Sequence, residues 1–141
     1  MFSRILRVRK GRAIMAGAAA FALCAGAALM TSTPALAAGK TVVVKMSDTP
    51  PVYLPAKVTI NVGDTVEWDN NASTLHDVTT DADNVQKPAD VSLPPGAKAF
   101  DSGFMQPGGK FSYTFTVPGT YKYACVPHEM DGMVGYVTVN K

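Results

Sequence analysis

Between residues 38 and 141 no apolar run goes far before a turn former interrupts it. Pro, Gly, Asn and Asp break the pattern again and again, and no segment keeps a 3.6-residue apolar period over helical length. The stretches between the breaks alternate instead. Thr41 to Ser47 is rich in valine, and Lys57 to Val62 puts Val58, Ile60 and Val62 on one face. After Gly63-Asp64, Thr65 to Asp69 alternates Val66 and Trp68, the sole tryptophan, with polar residues. A loop at Asn70–Ser73 leads to a further strand candidate at His76–Thr80. Past Pro107-Gly108-Gly109 the alternating residues are Phe111, Tyr113 and Phe115; past Pro118-Gly119 they are Tyr121, Tyr123 and Cys125. Val134 to Asn140 closes the chain. Residues 82–99, with Pro88, Pro94, Pro95 and Gly96, read as a long loop or crossover carrying a short edge strand or helical turn, and Phe100–Phe104 as a brief edge strand. Seven to eight short strands so spaced predict an all-β fold, an antiparallel Greek-key β-sandwich whose alternating aromatics form a core face.

The first part of the chain belongs to another class. Arg4, Arg7, Arg9, Lys10 and Arg12 are followed by the uncharged apolar run Ala13–Met30 and by Ala35-Leu36-Ala37, small residues suited to a signal peptidase. Residues 1–37 are therefore expected to be a cleaved secretory signal peptide, and residues 38–141 the mature domain, exported to the periplasm. The alternative is an uncleaved membrane anchor, since the apolar run is long for a signal. Leu23 stands where a lipidated Cys24 would need a small residue. Cleavage changes the charge as well as the length. Of the 13 Lys and Arg, 8 remain, against all 11 Asp and Glu, so the whole-chain +2 becomes −3. Nothing in that balance suits nucleic acid. Cleavage also removes Cys24 and leaves Cys125 as the one cysteine of an exported domain, where a lone thiol needs protection or ligation.

Cys125 opens the most chemically loaded stretch, Cys125-Val126-Pro127-His128-Glu129-Met130-Asp131-Gly132-Met133. A thiolate, an imidazole and thioethers sit together in a loop between two predicted strands. His76, well upstream, is the only other histidine. One Cys, two His and a weak axial Met form the ligand set of a blue-copper centre, which carries one electron at a time. His76, Cys125, His128 and Met133 are thus the candidate copper ligands. Pro127, with its fixed φ, turns the chain sharply after the cysteine, and Gly132 frees the return leg. Met130 and Met105 compete with Met133 for the axial place. Zinc competes with copper for the metal, although structural zinc sites favour more thiolates or a carboxylate over a thioether.

The same residues carry a family resemblance. The C-x-x-H-x-x-x-x-M loop, Pro118-Gly119-Thr120-Tyr121-Lys122-Tyr123, Met133-Val134-Gly135, Phe100-Asp101-Ser102-Gly103 and Val62-Gly63-Asp64-Thr65-Val66 together resemble the plastocyanin-like cupredoxins, with pseudoazurin and amicyanin as near relatives. The loop spacing is that of plastocyanin and pseudoazurin, not the shorter one of amicyanin. The resemblance implies a monomeric electron carrier that is not an enzyme. Electrons would cross at the exposed edge of His128, within an apolar surround for which Leu75, Pro127 and Gly135 are candidates. It also implies redox partners such as c-type cytochromes docking near His128, and an Asp77 amide that donates to the copper-bound sulfur.

Four positions depart from the family. Asp77 replaces a frequent Asn, and Ala124 replaces the tyrosine that plant plastocyanins carry before the cysteine. Glu129 and Asp131 flank His128 where neutral residues are usual, which would favour partners with a basic face. Two other functions compete with electron transfer: copper storage or delivery, which calls for extra Met or His clusters, and a structural sandwich holding zinc or no metal. Substrate-turning copper enzymes need further histidines, and a binuclear copper site needs two cysteines.

Overall fold

The computed structural model describes residues 39–141, so the expected leader over residues 1–37 lies outside the described residues. Period-two alternation builds the strands where the sequence shows it most clearly. These are β1 (Thr41–Asp48), β3 (Lys57–Asn61), β4 (Thr65–Asp69), β5 (Lys110–Thr114), β6 (Gly119–Ala124) and β7 (Val134–Asn140). On β4 the inward residues are Val66 and Trp68, on β3 Val58 and Ile60, and on β7 Val137 and Val139, all buried. Burying one face of each strand is what sets its register, because a slip of one residue would turn every apolar side chain outward.

A seventh strand, β2 (Pro51–Leu54), is unexpected from the sequence, since prolines crowd it at positions 50, 51 and 55. It is tolerated because it pairs only with β1 and forms a sheet edge, where missing N–H groups cost no ladder bond. The two sheets run β2-β1-β4-β5 and β3-β7-β6. Three pairings are antiparallel, as expected, but β1 with β4 and β3 with β7 are parallel. Each parallel pair joins strands that another segment separates in sequence, which is how the chain crosses between sheets.

The strand expected at His76–Thr80 and the edge strand expected at Phe100–Phe104 are reduced to isolated bridges, His76 with Met105 and Thr79 with Asp101 and Ala124. Side chains take over the backbone's partners here. The Val78 amide donates to Ser102 Oγ at 2.8 Å and the Phe100 amide to Thr80 Oγ1 at 2.9 Å, which breaks the ladder. Residues 82–99 carry one 3-10 turn, Pro88–Asp90, and a single bridge from Ser92 to Lys122 of β6.

Aromatic side chains fill the space between the sheets. Trp68, Tyr53, Tyr121, Tyr123 and Phe115 are fully buried. The Tyr123 ring meets Tyr53 edge-on at 4.8 Å and Trp68 edge-on at 5.2 Å, while Phe111 and Tyr113 pack against this core half-buried. Gly135 of β7 pairs with Tyr123 of β6 and has no side chain for a reason of space. A Cβ there would lie 2.3 Å from the tyrosine Cζ and 2.4 Å from its hydroxyl. The ring therefore folds across its own neighbouring strand. Gly135 is buried beneath it and does not line the surface around His128, where the sequence had suggested it.

Candidate metal centre

Three segments converge at one end of the sandwich. β6 ends at Ala124, and a 3-10 turn over Val126–Asp131 returns the chain to β7. The loop closes on itself: the Cys125 amide donates to Met133 O at 3.1 Å, the His128 amide to Cys125 O at 3.1 Å, and the Met133 amide to His128 O at 3.1 Å. Gly132, at φ +81°, provides the left-handed residue that ends the turn. His76 comes from the distant segment, held by its paired bonds with Met105, and Asn70 Nδ2 secures that segment by donating to Met105 O at 2.8 Å.

His76, Cys125 and His128 are brought together so that one donor atom from each lies within 4.8 Å of the others. The Cys125 sulfur is 3.5 Å from Nδ1 of His76 and 3.5 Å from Nδ1 of His128, and the imidazole centroids are 4.5 Å apart. An ion bonded at about 2.3 Å to sulfur and about 2.0 Å to nitrogen spans edges of this length, so the donors fit a single metal. Met133 is fully buried, as is His76, whereas Met130 is 66% exposed on the outside of the turn. Met105 is buried too, on the His76 side. His128 is half-buried, with Pro127 and Leu75 exposed next to the two histidines in sequence.

The electrostatics favour neutral donors. Burial pushes the Cys125 thiol up to about 12, with the Asp77 backbone amide opposing the rise. Burial, followed by the neighbouring His76, holds His128 below its ordinary value and favours the uncharged imidazole. A metal ligating these groups must displace the thiol proton.

Asp77 fills the structural part expected of an Asn. Its Oδ1 accepts the Val126 amide at 2.6 Å, and its carbonyl accepts the Tyr53 hydroxyl at 2.7 Å, tying the His76 segment to the ligand loop and the core. Unlike Asn it titrates. Burial raises its carboxyl to about 6, against the opposing Val126 amide. A carboxyl raised in the folded state contributes stability that is complete below about 3.9, its unfolded value, and is lost as pH climbs through the folded value near 6. Asp77→Asn is therefore expected to flatten the stability of the metal-free protein between pH 4 and 7 and to raise it at pH 7 and above. Urea unfolding across that range measures it, and a variant that keeps the wild-type slope contradicts the assignment.

Glu129 differs from its sequence reading. It is 1% exposed and turned inward, not an acidic group on the docking face. Its two oxygens accept the Gln86 and Lys87 amides, each at 2.7 Å, so it straps the 82–99 loop to the ligand loop. Lys122 holds the same loop from the other side by donating to Ala89 O at 2.6 Å and Asp90 Oδ1 at 3.1 Å. Asp131 does remain exposed, and its charge acts on His128.

Asp48 is a partner of the site that sequence reasoning missed. From the end of β1 its Oδ1 reaches His76 Nε2 at 2.9 Å. Hydrogen bonds from Thr74 and then Ser73 hold its carboxyl well below the usual carboxylate range. A lone acid before Thr49-Pro50 carries no sequence signal that it will face a histidine so far along the chain.

Comparison with known proteins adds a lineage to this geometry. The family model for copper binding proteins of the plastocyanin/azurin family matches residues 40–140. The chloroplastic plastocyanin of Oryza sativa subsp. indica is 39% identical over 139 residues, covering 98% of this chain and 83% of that protein. Among solved structures, the pseudoazurin of Methylobacterium extorquens AM1 superposes with a TM-score of 0.58 at 28% identity, covering 72% of this chain and 76% of that one. The amicyanin of Paracoccus versutus gives 0.54 at 31%, over 71% and 81%.

Proposed function

The chain belongs to the plastocyanin/azurin family of copper binding proteins, a family of electron carriers and not of catalysts, and from that premise we propose that it shuttles single electrons through one mononuclear type 1 copper. His76, Cys125, His128 and Met133 would hold the ion. The observation that supports this most is the donor cluster: one thiol and two imidazole nitrogens face one another within 4.8 Å at a closed end of a rigid sandwich. Met133 is favoured as the fourth ligand because its backbone is bonded to both Cys125 and His128, and because it is buried while Met130 faces solvent.

When bound, copper would supply a one-electron couple, Cu(II)/Cu(I). The chain's task is to keep its donors still. The closed ligand loop, the Asp77–Val126 bond and the Glu129 strap all restrain movement, so little rearrangement accompanies electron gain or loss. His76 is wholly buried, which leaves half-buried His128 as the point of electron exchange. Redox proteins, c-type cytochromes among them, would dock over that edge, where exposed Asp131 adds its charge. The leader-like residues 1–37 support export to the periplasm and a domain free of the membrane after cleavage.

Adding Cu(II) to the metal-free protein is expected to produce an intense thiolate-to-copper band in the visible, bleached by a mild reductant and restored by an oxidant. A colourless protein that still holds metal tightly would point to zinc-like structural binding. Colour that does not cycle would point to storage.

A further inference from the structure

Each oxygen of the Asp48 carboxylate meets two polar neighbours. The Ser73 amide and the Ser73 hydroxyl both donate to Oδ2 at 2.7 Å, and the Thr74 hydroxyl donates to Oδ1 at 2.5 Å. The remaining approach to Oδ1 is taken by Nε2 of His76 at 2.9 Å. The other close polar group at Nε2 is the Thr74 hydroxyl at 3.5 Å, already committed to the carboxylate. On the far side of the same ring Nδ1 stands 3.5 Å from the Cys125 sulfur. His76 is wholly buried, so no water competes for either nitrogen.

An ionised carboxylate accepts and cannot donate, so a ring nitrogen 2.9 Å away must carry the proton. A neutral imidazole has one proton; with it on Nε2, the lone pair is on Nδ1 and points at the sulfur. We propose that Asp48 is the positioning residue of this centre: its carboxylate locks His76 in the Nε2–H tautomer, aims Nδ1 at the metal position beside Cys125, and makes that nitrogen a stronger donor to the oxidised ion. A carboxylate behind a ligating imidazole increases its basicity, and loss of such a partner commonly costs about 10–100-fold in metal affinity. Stronger donation favours the more highly charged Cu(II) over Cu(I), so Asp48 sets the potential low. The proposal rests on His76 being a ligand, although the tautomer itself does not depend on the metal.

Two measurements test it. In the metal-free wild type, ¹⁵N shifts of His76 should show a protonated Nε2 and a lone pair on Nδ1 throughout the range where the ring is neutral. A proton on Nδ1 there overturns the proposal, whether or not the copper reading holds. In the copper-loaded protein, Asp48→Asn should weaken Cu(II) binding relative to Cu(I) by tenfold or more, a rise in potential of about 59 mV for each tenfold. An unchanged potential in the Asn variant would mean that Asp48 serves only to hold the loop. A wild type that never turns blue would instead overturn the copper reading, and the tautomer result would stand apart from it.

Discussion

Cys125→Ser is expected to abolish the visible band completely while the sandwich remains folded. The band needs a thiolate bonded to Cu(II), and a serine hydroxyl at the same place is neither polarizable nor ionised near neutral pH. The site would keep two imidazoles and a thioether, so any copper taken up should be weakly coloured and readily lost. Serine is smaller and more polar than cysteine, and burying its hydroxyl where the thiol is fully enclosed should cost about 1–3 kcal/mol. The visible spectrum after Cu(II) addition, read beside far-UV circular dichroism and a melting curve, separates the two effects. A blue Ser variant would remove Cys125 from the ligand set. An unfolded one would show that the thiol's packing, more than its chemistry, holds this end of the domain together.

Gly135→Ala should produce a large loss of stability, at a position with no part in ligation. The new methyl group would meet the Tyr123 ring at 2.3–2.5 Å, and the ring has no room to retreat because Tyr53 and Trp68 enclose it. Overpacking of this kind costs about 3 kcal/mol or more, since ring and strand must both shift. In a domain of this size that lowers the melting temperature by roughly 10–20 °C. Gly132→Ala is a useful contrast: it strains a positive φ, but nothing lies within 4 Å of its Cβ, so about 1 kcal/mol is expected. A smaller residue at position 123, such as Tyr123→Leu, should recover part of the loss in the Gly135→Ala background, because the two sites share one contact. If Gly135→Ala melts within a degree or two of wild type, the close approach of ring and strand is wrong.

The parts of the molecule legible in its sequence are those governed by local pattern. Val58 and Ile60, Val66 and Trp68, and Val137 and Val139 announce their strands because alternation is a short-range signal and one buried face makes it strict. The Cys125–Met133 loop is legible for a similar reason, as its donors lie close together in sequence. His76 could be assigned only because no other histidine competes for the role. What stays hidden depends on contacts between distant segments. β2 is masked by prolines that only its edge position excuses. Glu129 reads as a solvated loop carboxylate until the 82–99 segment presents the Gln86 and Lys87 amides to it. Asp48 and His76 meet because β1 and β4 are parallel neighbours, so the segment that follows β4 passes the end of β1, a matter of strand order and not of spacing.

The parallel pairing of β3 with β7 carries a consequence for the order of assembly. β7 is the last strand of the chain, and its register with Lys57–Asn61 must form across most of the described sequence. Contacts of such long range close late, because the entropy of the intervening chain is lost before their reward arrives. Met133 and the return leg of the ligand loop are anchored by that same strand, directly before Val134. The thiol of Cys125 is thus among the last groups to be sheltered, and a chain stalled before β7 docks would leave its only described cysteine open to oxidants. Metal presented early would meet Cys125, His128 and Met133 on one short flexible segment and could pull that segment together before His76 arrives.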